Sequence, residues 1–264
     1  MRVAVLVKQV PATENVKIDE TTGTMIREGV EAELNPLDLH AVEEAVRLKE
    51  RFEGTEVVVI SMGPPQAKKA VKAAIAMGCD RGVLLSDRKF AGSDTLATAR
   101  TLAAGLVHEG GFDLALSGER ATDGETGQVG PAVGRILDMS ALTFVSEVES
   151  VGEGTIVVRR AVEGGHERVE APLPAMLSVV KEINVPRLCT LGGKIRAKKA
   201  EIPVVGAAEL TIPEEHLGLA GSPTKVVRVS YPQITRKGKK LSASDDLDTA
   251  LDAIRGLLAD RGAV

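Results

Sequence analysis

Glu56-Val57-Val58-Val59-Ile60-Ser61-Met62-Gly63-Pro64-Pro65 is an apolar run closed by glycine and two prolines. Glu56 to Ile60 is a short β-branched run of the kind buried on both faces of a parallel sheet. Gly63-Pro64-Pro65 stops it, because proline cannot continue a ladder. Ala67, Ala70, Val71, Ala74 and Ile75 then recur at helical spacing, and Gly82 to Leu85 is a second apolar run. Strand, helix and strand in so short a span predict a βαβ unit.

The same alternation extends in both directions. Upstream, Val3 to Val7 reads as a strand, and a polar stretch with Gly23 as a turn signal follows it. Asn35-Pro36 opens a helix through Leu37, Ala41, Val42, Ala45 and Leu48, with Asn35 suited to the cap and Pro36 to the first helical position. Downstream, Thr95 to His108 is a helix, Leu114 to Leu116 a strand and Val129 to Leu137 a helix. Repeated βα units predict an open, doubly wound, mostly parallel sheet. After this the period changes to two. Thr155 to Arg160 and Glu167 to Glu170 flank Gly164-Gly165 as an antiparallel hairpin, and Ala175 to Val180 is a further strand.

From Lys181 the pattern weakens. Residues 201 to 245 are rich in Pro, Gly and Lys, and Asp246 to Leu258 reads as a short terminal helix. An arm with so little core of its own lies either on a partner subunit or around its own domain. The sequence therefore divides into an α/β domain over 1–195 and a basic segment with a C-terminal arm over 196–264, the arm expected to wrap a partner.

Composition excludes several classes. The 264 residues carry 33 basic and 37 acidic side chains, so no overall positive field attracts nucleic acid. Aromatics are 2% with no Trp, too few for base-stacking platforms. No apolar run approaches the ~20 residues of a membrane span. Cys79 and Cys189 make no disulfide framework, and the short apolar N-terminus is no signal peptide. A reduced, cytoplasmic protein is expected. His40, His108, His166 and His216 show no metal spacing, and no nucleophile–base constellation emerges, so neither metal ligands nor catalytic residues are assigned.

Ligands of open α/β sheets sit at the carboxyl ends of the strands. Four segments fall there: Lys8-Gln9-Val10, Ser61-Met62-Gly63, Ser86 to Thr95, and Ser117 to Gly130. The last places four glycines between a strand and a helix, with Thr126 and Gln128 as added donors. It is either a crossover with turn glycines or a loop whose amides converge on a phosphate. No Lys-Ser/Thr follows Gly124, and no G-x-G-x-x-G follows the first strand, so it is neither a P-loop nor a standard dinucleotide fingerprint. Asn35 to Asp38 is either a plain helix cap or a second ligand segment. Ser86 to Thr95, dense in charge, is either capped by Ser93 or Asp94 or closes over a cofactor.

Six segments in order resemble the β-subunit of electron-transfer flavoproteins: Val7 to Val10, Asn35 to Lys49, Ser61 to Pro64, Ala76 to Arg81, Gly118 to Gly130, and Asn184 to Leu191. The resemblance implies a heterodimer with an FAD-carrying α-subunit. It implies a nucleotide site at Leu6, Asn35, Pro36, Leu37, Asp38, Met62, Gly118, Glu119, Arg120, Ala121, Thr122, Asp123, Gly124, Glu125, Thr126, Gly127, Gln128 and Val129. That site holds AMP in the ordinary subgroup and a second FAD in the electron-bifurcating subgroup. Asp123-Gly124-Glu125-Thr126-Gly127-Gln128-Val129-Gly130-Pro131 looks like the bifurcating loop, with Gly127 in place of an expected alanine. Ser86 to Thr98 is similar to that subgroup too. Asp94, Thr95 and Thr98 are then expected to meet the ribityl chain and flavin ring.

The resemblance further implies NADH as electron donor and ferredoxin or flavodoxin as a low-potential acceptor. Leu191 matches the anchor that docks on a flavin dehydrogenase; otherwise it is a buried strand-end residue. Arg196, Lys198 and Lys199 form a basic face beside it. The alternatives are an AMP-holding subunit of a simple shuttle to or from acyl-CoA-type dehydrogenases, and, in another class, a non-redox nucleotide sensor.

Overall fold

A computed structural model describes residues 1–12, 31–152, 154–227, 240–242 and 244–262. The chain forms two compact units, Met1–Val227 and Arg228–Val264. The first opens with β1 (Arg2–Leu6), β2 (Gln9–Pro11), β3 (Ala32–Leu34) and α1 (Pro36–Arg51). Then come β4 (Glu56–Met62), α2 (Lys68–Met77), β5 (Arg81–Leu85), α3 (Thr95–His108), β6 (Leu114–Gly118) and α4 (Val129–Ile136). It continues through β7 (Ser140–Gly152), β8 (Thr155–Val162), β9 (Gly165–Pro172), β10 (Ala175–Val179), α5 (Leu191–Lys199) and β11 (Val204–Val205). Gly23 and the polar stretch around it lie outside the described residues.

Among the described residues the main sheet runs β11-β5-β4-β1-β6-β10-β7-β8-β9. From β11 to β7 every pairing is parallel; β7-β8 and β8-β9 are antiparallel. Alternate residues feed two cores, which is why the strand runs are continuously apolar. Val3, Val5, Val57, Val59, Leu114 and Leu116 meet α1 and α2 on one face. Ala4, Leu6, Val58, Ile60 and Ala115 meet α3 and Val133 of α4 on the other.

The α/β class, the mostly parallel sheet and its antiparallel part follow the sequence expectation. The hairpin is larger than read: β7, thirteen residues long, joins β8 and β9 in a three-stranded meander. Its buried positions fall at Leu142, Val145 and Val148, a spacing of three produced by register shifts. That spacing hides a strand from a period-two search. The first unit also runs on past residue 195. Lys194 to Lys199 form most of α5, and β11 then pairs with the edge of β5.

The second unit contains α6 (Leu247–Ala259), capped by Asp246, whose carboxylate accepts from the Thr249 amide at 3.0 Å. Its Leu247, Leu251, Ile254 and Leu258 recur along one stripe and are exposed.

Candidate functional site

Strand β1 pairs in parallel with β4 on one side and β6 on the other, so the order in which strands are added to the sheet reverses between β1 and β6. This is the topological switch point, where such sheets bind ligands. A single carboxylate joins the two strand ends there. Asp38, in the first turn of α1, accepts from the Lys8 amide at 2.8 Å and the Gly118 amide at 3.1 Å. Burial pushes the Asp38 carboxyl up to about 6, although both amides and Asn35 hydrogen-bond to it and Lys8 lies nearby. Desolvation outweighs the hydrogen bonds.

Asn35 stands at the cap position of α1, yet its side chain makes no cap bond. Its Nδ2 donates to the Arg120 carbonyl at 3.0 Å, and its Oδ1 accepts from the Thr122 amide at 3.1 Å. The plain-cap reading is therefore corrected: the side chain, fully buried, holds the loop after β6. Pro36 does occupy the first helical turn. Lys8 adds a third tie, its Nζ lying 2.7 Å from an Asp123 oxygen. Lys8 is not among the nucleotide-site residues the resemblance implies; the signal for it is its place in the Lys8 to Val10 segment just past the end of β1.

The loop from Gly118 to Gln128 is thus fastened at Gly118, Arg120, Thr122 and Asp123. Its far half, Gly124 to Gln128, is exposed. Glu125 and Gly127 turn it through the left-handed region at φ +52° and +63°. The amides of Thr126, Gly127 and Gln128 have no hydrogen-bond partner among the described residues. Beneath the loop, the buried Ser117 hydroxyl also has none, and it faces the start of α4, where a Cβ on Gly130 would come within 2.8 Å of it. Ser61, at the end of β4 next to Met62, is a second buried hydroxyl without a partner among the described residues. Buried polar groups are nearly always satisfied, so each such group needs an explanation.

The 86–98 segment reaches the same loop through one bond: the Thr95 hydroxyl donates to Gln128 Oε1 at 3.1 Å. Asp94 is engaged otherwise. One oxygen caps α3, accepting from Leu96 and Ala97 at 3.0 Å, and the other accepts from the Thr224 amide and hydroxyl. Burial opposes its charge, but these bonds hold the carboxyl below its usual range. Thr98 is partly buried one turn along α3, its amide bonded to the Asp94 carbonyl. Residues 87 to 92 form a turn with Phe90 buried, pinned by Asp87 to the Ala207 amide at 3.0 Å. The segment that follows α5 therefore lies along the 86–98 segment.

Away from the switch point, Leu191 is the first residue of α5 and is 76% exposed, not a buried strand end. Thr190 caps the helix by accepting from the Gly193 amide at 3.0 Å. Gly193 packs against the Ala76 carbonyl of α2, too close for any Cβ. Arg196 donates to the Ile75 carbonyl at 2.8 Å, while Lys198 and Lys199 are exposed. Cys79 is a buried thiol that burial pushes up to about 12. No helix among the described residues is long and apolar enough to cross a membrane.

Fold and site together define a doubly wound α/β protein with its loops gathered at the switch point of the sheet. Residues 22–210 match the electron transfer flavoprotein domain. The chain is 45% identical over 240 residues to the electron transfer flavoprotein subunit beta of Thermoanaerobacterium thermosaccharolyticum, covering 90% of this chain and 91% of that one. It is 41% identical to subunit CarD of the caffeyl-CoA reductase-Etf complex of Acetobacterium woodii, over 99% and 97% of the two chains. It is 40% identical to protein FixA of Azotobacter vinelandii, over 94% and 90%. The chain belongs to the electron transfer flavoprotein family, as a β-subunit.

Proposed function

We propose that this β-subunit pairs with an FAD-carrying α-subunit and bifurcates electrons. The electrons come from NADH, and an FAD is held at the β1/β6 switch point. Bound there, a flavin supplies hydride acceptance and the division of the electron pair between the α-subunit's FAD and ferredoxin or flavodoxin. The residues present fit such a group. The amides of 126–128 and the start of α4 offer donors to a pyrophosphate, and the unpartnered Ser117 hydroxyl lies at the same helix start.

The observation that carries the reading is the Thr95–Gln128 bond. It joins the 86–98 segment to the nucleotide loop, which supports a site that includes both. The similarity to CarD, of a caffeyl-CoA reductase-Etf complex, supports the same subgroup. Asp38, Asn35 and Lys8 act by holding the loop in shape.

A second reading is the AMP-holding subunit of a simple shuttle. It is favoured by Asp94, whose oxygens already serve the α3 cap and Thr224.

We further propose that Leu191 docks a flavin dehydrogenase, that Lys198 and Lys199 steer it, and that the C-terminal arm lies on the α-subunit. The heterodimer should oxidise NADH and reduce ferredoxin or flavodoxin only while a higher-potential acceptor is also being reduced. Reduction of a low-potential acceptor without that coupling, or no NADH oxidation at all, rejects bifurcation.

A further inference from the structure

Helix α1 buries two adjacent carboxylates, Glu43 and Glu44, at 3% and 8% exposure. Glutamates are almost never so covered unless paired. Both find partners in one short segment far along the chain. Arg187 donates from Nε to Glu43 at 2.8 Å and from Nη2 to Glu43 at 3.0 Å, and its own amide adds a third bond at 3.0 Å. The same guanidinium forks onto Glu50 at 2.5 and 3.0 Å. Asn184 takes Glu44 and the His40 carbonyl, both at 3.0 Å. These bonds hold Glu43 and Glu50 below the usual glutamate range; at Glu43 they do so against burial.

What the segment turns outward is apolar. Val185 is 82% exposed and Leu188 92%, and Leu191 follows at the start of α5. Polar side chains thus point in and hold, while apolar ones project into solvent. An isolated surface ion pair contributes little. A guanidinium forked on two carboxylates, one of them buried, is the strong and geometrically specific form.

We propose that Arg187, gripping Glu43 and Glu50, is a positioning residue for docking. It fixes residues 184–190 in their presented shape, so that Val185 and Leu188 extend the Leu191 contact on the partner. The partner surface that fits is an apolar pocket rimmed by carboxylates, because Lys194, Lys198 and Lys199 stand exposed on the adjoining helix. A preorganised loop does not have to be ordered on binding, so the clasp acts on affinity and not on the electron-transfer step. The inference rests on the docking reading of Leu191.

The test uses the heterodimer and, as probe, an acyl-CoA dehydrogenase chosen because it exchanges electrons with the wild type. Arg187→Ala is expected to raise the KM for the heterodimer by roughly three- to tenfold. The limiting kcat and the released-nucleotide content should stay within error. Arg187→Lys, a point charge unable to fork, should restore KM only in part. Glu50→Gln, at an exposed side chain, should give a smaller rise and guards against a fold defect in the alanine variant.

Leu191→Ala separates the two ideas. If it raises KM while Arg187→Ala and Glu50→Gln leave KM at the wild-type value, the clasp is overturned and the docking reading stands. If Leu191→Ala leaves KM unchanged, the docking reading fails and the clasp fails with it. A fall in kcat with unchanged KM in the Arg187 variant also overturns the proposal.

Discussion

Gly118→Ala tests whether the switch point is as tightly built as its hydrogen bonds imply. A Cβ at Gly118 would lie 2.7 Å from the Leu37 carbonyl carbon, 2.7 Å from Asp38 Oδ1 and 2.9 Å from the Asp38 amide nitrogen. Comfortable separations between carbon atoms are about 3.5–4.0 Å, so the intrusion is close to 1 Å. The obstructing atoms belong to the first turn of α1 and to a carboxylate already bonded to Gly118 itself. None is the free end of a flexible side chain. Overpacking of this kind costs about 1–3 kcal/mol. In a domain of this size each kcal/mol moves Tm by about 2–4 °C, so a drop of roughly 2–12 °C is expected. Relief requires α1 to shift away from β6, which loosens the loop that Asn35 and Asp38 hold, so co-purified nucleotide should fall as well. Gly124→Ala is the internal control: a Cβ there meets nothing within 4 Å. Thermal denaturation and quantified nucleotide release on both heterodimers give the comparison. Equal Tm and equal nucleotide content in the two variants would show that the Gly118 site has room for a Cβ.

Three further outcomes follow from the same geometry. The Asp38 carboxyl is raised by burial to about 6, so the folded state holds a proton that the unfolded chain has released above about pH 4. Stability from this group is greatest below about pH 4 and is lost as pH rises to about 6, a change on the order of 3 kcal/mol. Urea titrations should therefore show Asp38→Asn gaining on the wild type across that window; a pH-independent difference rejects the assignment. Thr95→Ala should reduce bound FAD by breaking the bond to Gln128, and Thr98→Ala should do so by removing an expected flavin contact. Unchanged FAD content in both counts against the 86–98 segment as part of the site. Asn35→Ala should speed hydrogen exchange at the amide of Thr122 while leaving the amides of the first turn of α1 protected, since its side chain accepts from the loop and caps no helix amide; the opposite pattern would restore the capping role.

The parallel core was legible because both faces of β1, β4 and β6 are covered, which leaves continuous apolar runs that no other element produces. What escaped the reading had a physical reason. Strand β7 buries Leu142, Val145 and Val148, and its register shifts turn a period of two into three. Helix α5 has two glycines in its first turn and four basic residues, so its propensity and pattern both point away from a helix; the Thr190 cap and the fit of Gly193 and Ala197 against its neighbours secure it. At the site, glycine spacing located the loop, but nothing local reveals that Asn35 crosses to Arg120 and Thr122, or that Asp38 bridges two strand ends. Those contacts span some eighty residues of sequence and exist only once the sheet is assembled. Asp94 illustrates the reverse: a polar residue at a loop end before a helical run reads as a cap from local sequence alone, and its carboxylate does cap α3.

The most direct test counts nucleotides. The β-subunit co-expressed with its α-subunit is denatured, and the released FAD and AMP are quantified. Two FAD per heterodimer and no AMP is the expected result, with one FAD held at the β1/β6 switch point. One FAD with one AMP would contradict it, leaving this chain as the AMP-holding half of a simple shuttle.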